Sequence, residues 1–345
     1  MNQLVFDGES LITPEMIAAE SVPAQTVSQP ELFLRARDQL ALILGIAKQQ
    51  FDQGKNPARI VDRTATELHK IRAKVHPEVW HELIPVAQEH PVSEFFLQDP
   101  FTRWSFQKPR GYSGDAHLLD FIYGHSSITE EVEKASPLGQ SLYHYTKDVS
   151  SSVAVRERRD LLTRHVDEIA AERGQDVEIL TIAAGHLREA DRSAALKRGT
   201  LKRWIALDQD PVSVGSIIRD FRGTAIDAVD GSVRGLLTNT YKLGRFDFVY
   251  AAGLYDYLSH KVAVKLTQYC LQMLKPNGVF LFANFAKDIG VDGYMETFMN
   301  WGLLLRSETE MWNIINASVD RNAVEVSVHF GENRNILYGI LKKRG

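Results

Sequence analysis

The rhythm of the chain changes at Gly174, and that change limits the folds open to it. Beyond this glycine, short apolar runs recur at 177–183, 203–207, 224–229, 246–251 and 279–285. Stretches with helical spacing, at 188–198, 211–221 and 260–274, separate them. Strands covered on both faces read as continuous apolar runs, so the alternation predicts a parallel sheet wrapped by helices. The end of the chain differs. Residues 323–330 alternate, 336–341 form a second run, and Gly331-Glu332-Asn333-Arg334 lies between them, which predicts an antiparallel hairpin.

Before Gly174 the spacing is helical. Helices are expected at 31–53, 57–75, 77–89, 127–135, 138–149 and 151–173, with Pro85 kinking or shortening the third. Residues 1–30 carry Pro14, Pro23 and Pro30 and read as an extended arm, and 95–123 as an irregular, aromatic-rich stretch. A chain of 345 residues is long for one core. It divides into a helical N-terminal domain, 1–150, serving as a cap or substrate domain, and an α/β domain, 151–345.

Composition narrows the chemistry. Hydrophobic residues make up 44% of the chain and the formal net charge is −4, so it can bury a core and has no global attraction to nucleic acid or to an anionic membrane. A small-molecule substrate is expected instead. No apolar run approaches the roughly 20 residues needed to span a bilayer, and the acidic start lacks a signal peptide's basic region. The expected location is the cytoplasm. The single cysteine, Cys270, falls in an apolar helical stretch and reads as a buried structural thiol. No His, Asp or Glu spacing suggests a metal site.

In an open parallel sheet, ligands sit beyond the carboxyl ends of the strands. The first strand ends in Ala183-Ala184-Gly185-His186-Leu187-Arg188-Glu189, where small residues admit a ligand close to the backbone and a helix is expected to open. The second ends in Asp208-Gln209-Asp210-Pro211. An acid here is placed to accept hydrogen bonds from ribose hydroxyls: Asp208, directly after the apolar run, is the first choice, and Asp210 either takes that role or caps the next helix, with Pro211 at its first position. Asp230, before Gly231, either meets the exocyclic amine of an adenine or closes an Asp-Gly turn. The fourth strand leads into Ala252-Gly253-Leu254-Tyr255-Asp256-Tyr257, whose tyrosines either face a substrate or pack under the loop. A P-loop lysine is missing, and the dinucleotide glycine pattern is incomplete at Ala183 and Arg188.

These features together resemble class I S-adenosylmethionine-dependent methyltransferases. The likeness rests on the loop at 183–189, the acid Asp208, the strand at 246–253, the turn Leu274-Lys275-Pro276-Asn277-Gly278 and the terminal hairpin. It covers about half of the chain. Three further runs, Lys108-Pro109-Arg110-Gly111-Tyr112-Ser113-Gly114-Asp115, Gly253-Leu254-Tyr255-Asp256-Tyr257-Leu258 and Ala283-Asn284-Phe285, are similar to bacterial methyltransferases of 3-hydroxypalmitic acid methyl ester biosynthesis. Relatives often carry Gly-Cys-Gly-Pro in the loop where this chain has Ala183-Ala184-Gly185-His186.

The resemblance implies a Rossmann-like class I methyltransferase sheet with a C-terminal antiparallel hairpin, preceded by a mainly helical domain. It implies S-adenosylmethionine as cofactor, met by Ala183, Gly185, Glu189, Asp208, Asp230, Ala252 and Asp115. Arg110, Tyr257 and Phe285 are the expected substrate contacts, and Tyr112, Asn284 and Tyr255 the expected catalytic residues. Asp115 could instead cap the following helix, and Trp301 and Arg306 read as core and salt-bridge residues. His144 and His260 are weaker candidates for a base. The expected reaction methylates an oxygen of a small molecule, a carboxylate or hydroxyl; the alternatives are methylation of nitrogen on an amino acid or natural-product intermediate, or a non-catalytic S-adenosylmethionine-binding module. The helical half either caps its own site or pairs with a second subunit in a homodimer.

Overall fold

A computed structural model describes residues 30–345; the arm expected over 1–30 lies, except for Pro30, outside the described residues. The described chain forms two compact units. One holds the residues up to Val153 together with Asp288–Gly302, and the other holds Ala154–Lys287 and Leu303–Gly345.

The first unit is helical. Its opening helices, Pro30–Asp52, Pro57–Lys74 and Pro77–Glu89, follow the expected apolar spacing. Pro85 neither shortens nor ends the third, because buried Trp80 and Leu83 before it and Ala87 after it hold the helix in place. The stretch expected to be irregular contains two eight-residue helices, Pro100–Gln107 and Ala116–Tyr123. Each starts on an aspartate cap: Asp99 accepts from the Phe101 amide and Asp115 from the Leu118 amide. Two turns are too short for a helical period to stand out in sequence.

The segment Asp288–Gly302 joins this unit through a short helix, Asp292–Thr297. Its backbone comes so close to the helix Pro57–Lys74 that a Cβ at Gly293 would stand 2.7 Å from the Leu68 carbonyl carbon. Arg72 binds Glu296 through Nε and Nη2 at 2.9 Å each and Asp292 through Nη1 at 2.9 Å. His69 Nδ1 lies 2.8 Å from the same aspartate, and the Trp80 indole donates to Glu296. Such a part-buried network is costly to break on one side.

The second unit is a seven-stranded sheet in the order β3-β2-β1-β4-β5-β7-β6. The strands are β1 (Val177–Ile182), β2 (Leu201–Asp208), β3 (Ile226–Asp230), β4 (Phe246–Ala251), β5 (Leu274–Phe285), β6 (Val324–Phe330) and β7 (Ile336–Lys343). The first five are parallel, and β7 runs antiparallel between β5 and β6. β1 and β4 are buried throughout. On one face Leu180, Ile182, Val249, Phe280 and Phe282 pack against the helices His260–Gln272 and Glu308–Ser318. The latter was not evident from apolar spacing. It starts with a capping box between Ser307 and Glu310. Towards the other face, His165 of the helix Ser150–Arg173 meets the ring of Phe248.

Two expectations about this sheet are corrected. No helix spans 188–198; only a 3₁₀ turn, Ala190–Arg192, and a four-residue helix, Ala194–Lys197, are found. The turn 274–278 does not precede β5 but lies inside it, with an irregularity in its pairing to β4. Cys270 is fully buried in the core, as its apolar setting predicts. Among the described residues no helix is long and apolar enough to cross a membrane, and no His, Cys, Asp or Glu cluster could hold a metal ion.

Candidate functional site at the carboxyl edge of the sheet

β1 stops at Ile182 because Ala183 takes φ +56°, in the left-handed region, and Gly185 (+57°) and Leu187 (+53°) do so as well. Left-handed backbone costs an L-residue about 1–2 kcal/mol, so something must hold the loop. That support is Asp208. Its Oδ2 accepts the Gly185 amide at 2.7 Å and its Oδ1 the Asp210 amide at 2.8 Å. Burial pushes the Asp208 carboxyl up to about 6, against the pull of those two amides. Asp210 caps the helix Pro211–Asp220, accepting from the Val212 amide and the Ser213 hydroxyl. Asp208 is therefore the acid left facing the edge. Asp230 stands beside it in register on β3 and is exposed, and the Gly231 amide donates to the Asp208 carbonyl.

Glu189 does not sit in the first turn of a regular helix, as expected. It is buried, and its Oε1 accepts the Tyr250 hydroxyl of β4 at 2.6 Å. Burial raises its pKa, and the nearby Arg158 charge opposes the rise. Arg158, on the helix Ser150–Arg173, is buried and donates through Nη1 to the Ala252 carbonyl at 2.8 Å. A Cβ at Gly253 would lie 3.8 Å from its Nη2. Asp256 is buried as well. Its Oδ1 accepts the Phe285 amide at 2.6 Å, and its carboxyl is pushed up to about 6 by burial, with Arg158 the strongest opposing influence. Arg158, Glu189, Ala252 and Asp256 thus converge past the ends of β1 and β4. Arg158 and Asp256 were missed in sequence. The run Arg156-Glu157-Arg158-Arg159 reads as a solvated helix face, and only packing separates its members.

Two expected catalytic residues are held by their packing. The Tyr255 ring is fully buried in the core, 4.4 Å from the Phe282 ring centroid, and its hydroxyl is shared with Thr267 at 2.8 Å. Asn284 is fully buried too. Its amide nitrogen donates to the Phe285 and Leu304 carbonyls, and its oxygen accepts from Arg306. Both side chains are engaged within the protein interior. Arg306 also binds the Tyr255 and Leu258 carbonyls, which makes it the lock of this loop. Trp301 is buried in the helical unit. Phe285 ends β5 with a buried side chain, and Tyr257 is half-buried.

Arg110, Tyr112 and Asp115 belong to the helical unit. Asp115 accepts from the Trp104 indole at 2.9 Å as well as from the Leu118 amide, and the Arg110 guanidinium lies 4.0 Å away. Its Oδ1 caps the helix and its Oδ2 is taken by the indole, which counts against a role at the cofactor. His144 and His260 are exposed on helices.

Five parallel strands, a switch point between β1 and β4, and a reversed β7 slotted between β5 and β6 define one architecture. The second unit has the class I methyltransferase fold. The sequence matches no protein-family model and no curated protein. Among solved structures, a possible exported protein from Bordetella parapertussis is similar to this chain over 84% of its length and 96% of the other's, at 14% identity and a TM-score of 0.52. The N-methyltransferase NodS from Bradyrhizobium japonicum, in complex with S-adenosylhomocysteine, is 19% identical. The match covers 66% of this chain and 100% of NodS at a TM-score of 0.40. Magnesium protoporphyrin IX methyltransferase from Synechocystis, with bound S-adenosylmethionine, is 8% identical over 67% of this chain and 98% of its own, at 0.39. At such identities the likeness is one of fold.

Proposed function

We propose that the chain is an S-adenosylmethionine-dependent methyltransferase acting on the oxygen of a small molecule. The observation that carries this reading is the pair Asp208 and Asp230, in register at the carboxyl edge of a methyltransferase sheet, with the Gly185 amide fastened to the first of them. A carboxylate offers about four acceptor positions. Asp208 spends two of them on backbone amides, leaving two for the hydroxyls of a ribose. Ala183 does not disqualify the loop, because it already adopts the left-handed backbone for which a glycine would be chosen.

In this reading Asp208 holds the ribose and Asp230 the exocyclic amine of the adenine. Ala183, Gly185 and Ala252 line the approach, and Glu189 faces the ammonium of the methionyl end. The cofactor, when bound, supplies a methyl group already activated on a sulfonium. The protein's share is then alignment and the exclusion of water. Tyr257 and Phe285 flank the place for the acceptor. A carboxylate acceptor is ionised at neutral pH and needs no base, whereas a hydroxyl or an ammonium does. The commitment of Tyr255 and Asn284 to packing favours the acceptor that needs none.

Calorimetric titration with S-adenosylmethionine and S-adenosylhomocysteine, beside Asp208→Ala, tests the reading. Micromolar binding that the substitution removes is expected. Methyl transfer from labelled cofactor to a panel of carboxylic acids, alcohols and amines then separates oxygen from nitrogen. A folded protein that binds neither ligand sinks the assignment.

A further inference from the structure

Two polar groups of the α/β unit are buried beyond what their partners explain. Tyr338, on β7 opposite Ala283 of β5, is fully buried, and among the described residues its hydroxyl has no hydrogen-bond partner. A buried unpaired hydroxyl is costly and rare, and it calls for an explanation. The second group is Arg158. Among the described residues it makes one hydrogen bond, to the Ala252 carbonyl, and no carboxylate lies within ion-pair distance, although it is only 5% exposed. Buried charges are normally paired. The strand register brings the two together: Ala251 of β4 pairs with Phe282 of β5 and the next residue, Ala283, with Tyr338 of β7, so Tyr338 and the Ala252 carbonyl that Arg158 binds flank β5 at the same level. Glu157 is occupied elsewhere, accepting the Glu332 amide at the β6–β7 turn.

We propose that Arg158 and the Tyr338 hydroxyl form a carboxylate-binding subsite beneath the helix Ser150–Arg173. The guanidinium and the phenol are both donors, and a carboxylate accepts from both at once. Glu189 and Asp256 feel the Arg158 charge from beyond ion-pair distance, and Arg158 meets the loop after β4 through the Ala252 carbonyl. Such a setting suits a ligand whose carboxylate takes the donors while any ammonium beside it meets the acids. Two sources fit this chemistry: the amino-acid end of the cofactor, or the carboxylate of the acceptor. The inference rests on the methyltransferase reading for the ligand's identity, not for the existence of the subsite.

The test uses the whole chain and three variants, Arg158→Met, Arg158→Lys and Tyr338→Phe. Each is titrated with S-adenosylhomocysteine, with 5′-methylthioadenosine, which keeps the nucleoside and lacks the amino acid, and with octanoate. Loss of S-adenosylhomocysteine affinity by about tenfold in Arg158→Met and about fivefold in Tyr338→Phe, with methylthioadenosine unchanged, assigns the subsite to the cofactor. Unchanged nucleoside ligands with lost octanoate binding assign it to the acceptor. Tyr338→Phe guards against simple misfolding, because removing an unpaired hydroxyl leaves the melting temperature of the ligand-free protein unchanged or raises it. A lowered melting temperature shows that the hydroxyl already has a partner and overturns the proposal. Retention of every affinity in Tyr338→Phe and in a folded Arg158 variant overturns it too. If the wild type binds neither nucleoside ligand, the cofactor reading fails, and octanoate binding to the ligand-free protein decides the subsite alone.

Discussion

The loops that follow β1 and β4 close the same edge of the sheet, and they are held in opposite ways. The first carries three left-handed residues and is tied down by the carboxylates of Asp208 and Glu189. The second is clamped by Arg306, which binds the Tyr255 and Leu258 carbonyls, and by Asp256, which accepts the Phe285 amide. The supports of the first loop are the groups a nucleoside ligand needs, so ligand and loop share them. The supports of the second are saturated by the protein itself. A loop whose supports are shared responds to its ligand, and a loop with private supports serves as a fixed wall.

The largest expected effect tests the wall. Arg306→Met strands two buried carbonyls and the Asn284 oxygen, and should cost about 3 kcal/mol of stability in denaturant unfolding. Arg158→Met removes one bond to a carbonyl and should cost well under half of that. Equal losses would erase the distinction between a saturated arginine and one with donors to spare.

A second effect tests the shared support through pH. The Asp208 carboxyl titrates near 6 in the folded, ligand-free protein, above its ordinary value. A ribose hydroxyl donates to the ionised form. Affinity for S-adenosylhomocysteine should therefore rise as pH rises, by up to about tenfold per unit below 6, and level off above it. Stability moves the other way. Asp99, Asp208 and Asp256 are each raised to about 6 by burial, so between about pH 4 and 6 the folded chain binds more protons than the unfolded one. Ligand-free stability should fall as pH rises through that window, and Asp256→Asn should flatten the fall. An affinity independent of pH between 5 and 7 would detach Asp208 from the ligand.

The smallest effect probes the strain of the first loop. Ala183→Gly should stabilise the ligand-free protein by up to about 1 kcal/mol, because glycine takes φ +56° without the penalty alanine incurs, though its extra freedom when unfolded offsets part of the gain. A loss of stability would mean that the Ala183 methyl contributes packing worth more than the strain.

The sheet was legible in sequence because its determinants are local. Runs such as 246–251 are apolar at every position, and Gly174 and Pro211 mark where elements stop and start. The Asp210 cap was legible for the same reason, since a Pro at the first helical position favours an acid before it. What was illegible depends on saturation. Asn284 and Tyr255 looked available because nothing in sequence reveals that Arg306, Leu304 and Thr267 use up their polar groups. Arg158 looked spent on solvent because its neighbours Arg156 and Arg159 share its type. The helices at 100–107 and 116–123 were hidden by length alone.

Among the described residues the chain passes between the two units three times, at 153/154, 287/288 and 302/303. The helical unit is thus not a module that one cut releases. Residues 30–153 expressed alone would carry Arg72 without Asp292 and Glu296, and the remainder would carry those acids without their cation. Recombination at a single junction would break the network on both products. A helical unit of this kind can be exchanged between proteins only when the fifteen residues Asp288–Gly302 travel with it.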